Sequence, residues 1–365
     1  MFWKNILVII IVLFGYEQTA HAQSPPTDLT EMDIEEILKL YIIRREKTSH
    51  WSIGYRYIQA KFDGNRSGTK DLSVEEVQFR PGTEPRTTDN FPIVPLTIHQ
   101  KVHILDITLH ATEKWSIGLL LPYIQQETFH VSSVIREISG VVYDFSTFTI
   151  ESSGPGDIFV SISRSIWHKG SHHILSTVGF TLPIGSIDKI GPTPRIPGQD
   201  TQLPFTMQIG SGTYDLVPGL TYAGRNKSLG WGGQIRHVNR LNKNSRTYSL
   251  GNRLSLAGWL KAKPWLWLEP SLTVTAQSWG RIDGEDEELK IPTLPVSPFP
   301  AAVTDPSKFG GKKVNVLFGA TLGWPKGFAK GHTLNVEVGF PTYQSLNGPQ
   351  PKEVWRFGAG WNWNF

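Results

Sequence analysis

The chain has 365 residues, 39% hydrophobic and 19% charged, with 35 Gly, 25 Pro and 13 Trp. It is too apolar and aromatic for disorder, and too often broken by Gly and Pro for a helical bundle, so an all-β architecture is favoured. The formal net charge of +4 is a small excess on so long a chain and does not point to nucleic acid, and the absence of Cys removes disulfide scaffolds, thiol catalysis and Cys-ligated metal sites.

The N-terminus reads as an export leader over residues 1–22. Lys4 supplies the positive region, Ile6 to Phe14 a run of nine apolar residues, and Ala20-His21-Ala22 an A-x-A cleavage site. That apolar run is far short of the ~20 residues a helical bilayer crossing needs, and no later segment supplies one. A membrane protein with this sequence must therefore be a barrel.

A segment at 23–48 precedes it. Within it, residues 29–44 carry a helical period, with Met32, Ile34, Ile37, Leu38, Tyr41 and Ile42 on one stripe and acidic residues in the first turns. This helix is expected either to cap the barrel rim or to plug the lumen.

From Trp51 the period is two. Twelve strands are predicted, near 50–62, 99–112, 115–131, 156–167, 172–184, 208–224, 229–241, 247–262, 266–280, 312–324, 332–344 and 353–365, the count held to within two. A soluble sandwich would alternate in the same way. The connections separate the two cases, because short links alternate with mostly long ones. That pattern describes an all-β transmembrane antiparallel barrel over 49–365, in the outer membrane of a Gram-negative-type bacterium, with both termini periplasmic.

Nine of the 13 Trp (51, 115, 167, 231, 265, 267, 324, 361 and 363) lie near short-link strand ends, as an interfacial girdle would place them. On 266–280, however, parity turns Trp265 and Trp267 inward unless a bulge intervenes. Lys114, Lys169, Arg225, Lys227, Lys261, Lys263, Lys326 and Lys330 give the same end a basic rim suited to anionic lipid. The last strand puts Trp355, Phe357, Ala359, Trp361, Trp363 and Phe365 on one face, and looks like the C-terminal signal read by the barrel assembly machinery.

Several runs carry a resemblance: Leu121-Pro122-Tyr123, Gly154-Pro155-Gly156-Asp157-Ile158, Leu182-Pro183-Ile184-Gly185, Met207 to Asp215, Gly339 to Gln344 and Leu346 to Gln350. Together they resemble an outer-membrane transporter family named for its association with the meta-pathway of phenol degradation, itself similar to long-chain fatty-acid transport barrels. The resemblance covers residues from about 115 to the end and implies a pore-like barrel that passes hydrophobic or aromatic compounds, without being an enzyme. Asp28 to Met32 also looks like the segment before the plug of TonB-dependent receptors, but no plug-sized domain follows.

With apolar residues facing lipid, parity points Arg56, Asp106, His110, Asp215, Gln234, Arg236, Arg253, Glu337 and Arg356 into the lumen. They either pair across strands and fill the barrel or set the selectivity of a solute path. No catalytic, cofactor or metal residues are assigned. Gly210-Ser211-Gly212 has Asp215 where a dinucleotide fingerprint needs its third glycine, and His172-His173 point to opposite faces. The acidic run from Asp283 to Glu288 reads as solvated, or as a cation contact to lipopolysaccharide.

The expected function is a channel or transporter for small, hydrophobic or aromatic molecules, with membrane lipid and lipopolysaccharide as surroundings. The alternatives are a membrane-embedded hydrolase, for which Ser176 or Ser163 near His173 is the best available pair, and a structural or adhesive barrel acting through its outer loops.

Overall fold

The computed structural model describes residues 50–82, 85–324 and 326–365. The expected leader and the helix at 29–44, with its choice between cap and plug, lie outside the described residues. The strands are β1 (Trp51–Gly68), β2 (Ile93–Leu109), β3 (Trp115–Ser132), β4 (Thr147–Pro155), β5 (Ile158–Lys169) and β6 (His172–Leu182), followed by β7 (Asp215–Arg225), β8 (Leu229–Arg240), β9 (Arg253–Ala262), β10 (Leu268–Trp279), β11 (Gly311–Gly323) and β12 (His332–Asn364).

Each strand pairs antiparallel with its neighbours in the sheet, and β12 closes the ring on β1. Two elements complicate the count. β4 and β5 both pair with β3, one above the other, so together they form a single span broken at Gly156 and Asp157. Conversely, β12 runs for 33 residues, its 333–346 portion pairing with β11 and its 346–364 portion with β1. A wholly antiparallel ring closes only on an even number of spans, so β12 must double back. The Gln344 side chain holds the Glu353 backbone across that fold, its Nε2 donating to the Glu353 carbonyl and its Oε1 accepting from the Glu353 N–H, and the eleven-element ring is crossed by twelve spans.

Alternation produces two faces. Tyr55, Leu105, Ile117, Val178, Leu220, Leu260, Phe318 and Val338 are exposed on the outside, while their neighbours Arg56, Asp106, Thr177 and Leu317 are buried. Turns join the strands at one end, and segments 69–92, 133–146, 183–214, 241–252 and 280–310 join them at the other. Trp51, Trp115, Trp167, Trp265, Trp267 and Trp324 stand exposed at the short-turn end.

The structure corrects several boundaries. Residues 208–214 are not strand, since β7 begins at Asp215, and β9 begins at Arg253. Trp265 and Trp267 lie in the turn before β10, where strand parity does not apply, and stack on each other at 5.7 Å. Lys261 lines an internal cavity instead of joining the rim, and Lys263 pairs with Glu269 at 3.2 Å.

The long connections turn inward. Segment 183–214 carries Leu203, Met207 and Ile209, all completely buried. Ile209 joins Ile58, Val102, Leu120, Phe159 and Val217 in one apolar cluster within the ring. Above it, Phe205 packs edge-on against Tyr248 and Phe309, at centroid distances of 4.8 and 5.4 Å, with Leu250, Ile282 and Leu289 completing the cluster. Apolar burial of this extent lets loops act as core, so the inturned segments roof the lumen at the long-loop end while the lumen keeps open space at the short-turn end.

Candidate functional site

At the short-turn end the lumen holds a cavity of about 940 Å³, open to solvent, whose walls include Arg56, Asp106, His110, Lys261, Glu269 and Asn335. A neighbouring space of about 460 Å³ shares Arg56 and Lys261 and adds Trp259 and Glu337. Strand register makes this room. Gly54 lies opposite Asp106, and a Cβ there would come within 2.1 Å of the carboxylate, so the missing side chain lets Asp106 reach across β1. Asp106 is within electrostatic reach of Arg56, and the imidazole of His110 hydrogen-bonds the Ser116 hydroxyl at 3.0 Å.

Further toward the long-loop end, the inward charges lie in tied groups. Glu353 receives two hydrogen bonds from Arg356, at 2.7 and 3.0 Å, and a very short one from Lys313. The guanidinium of Arg253 and the ammonium of Lys313 both sit by the Trp279 ring, at 5.7 and 5.9 Å from its centroid. Arg236 lies 5.9 Å from the Phe159 ring, Gln234 donates to Thr221 at 2.9 Å, and Asp215 pairs with Arg240 at 2.6 Å.

Six of the nine sequence-predicted residues are therefore buried between strands: Arg56, Asp106, Asp215, Arg236, Arg253 and Arg356. His110, Gln234 and Glu337 are partly accessible. Sequence reasoning missed Lys313, Arg240, Glu353, Lys261, Trp259 and Trp279. Parity did carry a signal for Lys313, which shares a face with Asn315 and Leu317 opposite Val314, Val316 and Phe318.

Three of the runs singled out in the sequence, 154–158, 182–185 and 207–215, meet at one point. The Asp157 carboxylate, freed by the break between β4 and β5, accepts hydrogen bonds from the Gly185 N–H at 2.8 Å, the Ser211 N–H at 2.8 Å and the Ser211 hydroxyl at 2.7 Å. Gly185 and Gly210 pass so closely that a Cβ on Gly210 would lie 2.3 Å from the Gly185 carbonyl. Gln126 and Ser152 also donate to the backbone carbonyls of Gln208 and Met207, at 3.1 and 2.7 Å. The wall thus holds both ends of the inserted segment, the C-terminal end at several points.

Other chemistry receives less support. Ser163 shares a hydrogen bond with Thr177 at 2.8 Å, four positions or about 13 Å along the strand from His173, which stacks on His168. Ser176 lies three positions from His173 and on the opposite face, so neither serine is placed for activation by that histidine. His172 bonds the Tyr222 hydroxyl at 2.7 Å. The acidic run is met by the chain's own cations: Asp283 by Lys243, Glu285 and Glu287 by Lys290, and Asp286 and Glu288 by Arg246. No group of three metal-ligating side chains occurs among the described residues.

A closed antiparallel ring with an apolar exterior, a charged interior, short turns at one end and long segments at the other defines a transmembrane β-barrel of the outer-membrane kind. Among solved structures, it is similar to an outer membrane channel from Pseudomonas putida F1, with a TM-score of 0.50 and 13% identity over 88% of this chain and 100% of that one. A Pseudomonas aeruginosa FadL homologue (TM-score 0.37, 11% identity, 87% and 90% covered) and the P. putida toluene transporter TodX (0.38, 10%, 88% and 91%) are more distant. At such identities the likeness is one of fold. No family model matches the chain, and no curated protein sequence matches it.

Proposed function

We propose that this protein is an outer-membrane channel for small molecules, with its short-turn end in the periplasm and hydrophobic or aromatic compounds as cargo. The observation that carries the reading is the charge-lined cavity inside a closed ring, open at one end and roofed at the other by inserted segments. A barrel interior filled only for stability gains nothing from space left open beside the partly accessible Lys261, Glu269 and Glu337, whereas a solute path requires such space. The segments that roof the cavity would gate it, and passage would need no covalent chemistry. The aromatic and fatty-acid cargo of the resembling families, together with the names of the structural neighbours, supports the solute class.

The test is uptake into proteoliposomes containing the full-length mature protein, comparing an aromatic compound, a fatty acid and a sugar of similar size. Faster entry of the aromatic compound than of the sugar supports the reading. Entry of the sugar alone would remove the proposed cargo, and no entry of any solute would remove the channel. The basic residues at the short turns suit anionic inner-leaflet lipid, and the final aromatic strand suits recognition by the assembly machinery.

A further inference from the structure

Another pocket lies at the long-loop end, between the rim formed by β2, β3 and β4 and the inturned segments 183–214 and 280–310. Its empty volume, counted together with the open solvent at its mouth, is about 500 Å³. Most of its wall is apolar, including Ile93, Val134, Phe148, Ile150, Ile291 and Ala301. The polar members are few: His130, Gln202, Arg136 and Arg195 besides two threonines, and no carboxylate is among the lining residues.

One of these polar groups is incomplete. His130 is buried, its ring stacked flat on Phe148 at 4.8 Å and within reach of the Thr128 backbone. Gln202 is 2% exposed, and although its Nε2 donates to the Ile187 carbonyl at 2.8 Å, its Oε1 has no partner. Polar atoms this deeply buried are nearly always paired, so an orphan acceptor in an apolar pocket marks a place that another molecule completes. The chemistry of that molecule follows from the wall. An apolar surface takes an apolar body, while Arg136 and Arg195 beside a wall without acids take an anionic head. Arg195 is held at the pocket by its 2.9 Å hydrogen bond to the Gln202 carbonyl, and the carboxylates acting on it, Asp286 and Glu288, are not lining residues. Gln202 Oε1 can only accept, so it calls for a donor on the ligand, such as a hydroxyl.

We propose that this pocket binds a small amphipathic acid, a compact apolar body carrying one carboxylate and one hydroxyl, on the external side of the lumen. The proposal rests on the channel reading for its purpose, as a site that collects solute at the mouth, but binding can be measured without transport. The experiment titrates the full-length mature protein in nanodiscs with 4-hydroxybenzoate, benzoate and benzylamine by calorimetry. Saturable binding is expected in the order 4-hydroxybenzoate, benzoate, then benzylamine with none. Arg195→Gln and Arg136→Gln should each weaken 4-hydroxybenzoate roughly tenfold, since each removes a charge-assisted contact. Arg136 sits on the outer hairpin formed by Ile135–Ile138 and Val141–Asp144, outside the ring, so its replacement spares the barrel if Arg195→Gln fails to assemble. No saturable binding of 4-hydroxybenzoate, equal binding of benzylamine, or full affinity in Arg136→Gln would overturn the proposal. Uptake measured on the same purified protein in proteoliposomes separates the two readings: uptake without binding removes this site alone, and binding without uptake removes the channel and leaves the site.

Discussion

At the scale of single residues, the interior is governed by what buried charge costs. Glu353 is the carboxylate shared by Lys313 and Arg356, all three shielded from solvent. Removing one partner of such a group commonly costs about 3 kcal/mol or more, because the remaining charges stay buried. Glu353→Gln should therefore lower stability by about that amount in urea titrations in lipid, and an unchanged midpoint would show that water already reaches the site. A different constraint acts at Gly179, where a Cβ would come within 2.1 Å of the buried Phe159 ring. Gly179→Ala should cost about 1–3 kcal/mol by overpacking in the same titration. Outside the membrane, hydrogen bonds from Lys352 and Arg66 hold the Asp71 carboxyl below its ordinary value of 3.8. A lowered folded value means that the tie contributes fully above the ordinary range and is lost as pH falls through the lowered value. Amide exchange at residues 65–72 should therefore stay slow until strongly acidic pH and then quicken. Asp71→Asn should lack that acid-dependent step, and an identical profile in the variant would exclude Asp71 as its source.

Among elements, segment 183–214 decides how open the lumen is. Asp157 pins Gly185 and Ser211 together, so one side chain holds both ends of the inserted loop. Asp157→Ala should leave the ring intact but expose 183–214 to protease in intact cells, and cleavage at the wild-type rate would show that the apolar packing of Met207 and Ile209 suffices alone. This element also marks where sequence reading reached its limit. Met207 to Gly212 alternates in polarity like a strand, yet its apolar Met207 and Ile209 and its polar Gln208 and Ser211 are all buried, the polar ones through hydrogen bonds to the chain around them. Only the close passage of Gly185 by Gly210, 25 residues apart in the chain, shows it to be a loop. Likewise, the long cluster of Phe205, Tyr248 and Phe309 depends on three segments distant in sequence, which no local pattern registers. The charges on regular strands were legible, since Arg56, Asp106 and Arg253 each follow from a two-residue period set by apolar neighbours.

For the whole molecule, the alternation of short turns with long segments was sufficient to indicate a closed barrel and the even number of its spans. The sequence separates the last two strands at 344 and 353, whereas the structure runs them together as one continuous hairpin, β12, that seals the ring against β1. The roofing of the lumen was not legible, and it is what would gate a solute path. Single-channel recording across a planar bilayer tests this most directly, comparing the protein with a variant in which 187–208 is replaced by a short Gly-Ser link. The expected result is a small conductance in the parent and a clearly larger one in the variant; equal conductances, or none in either, would contradict a solute path through the lumen controlled by that segment.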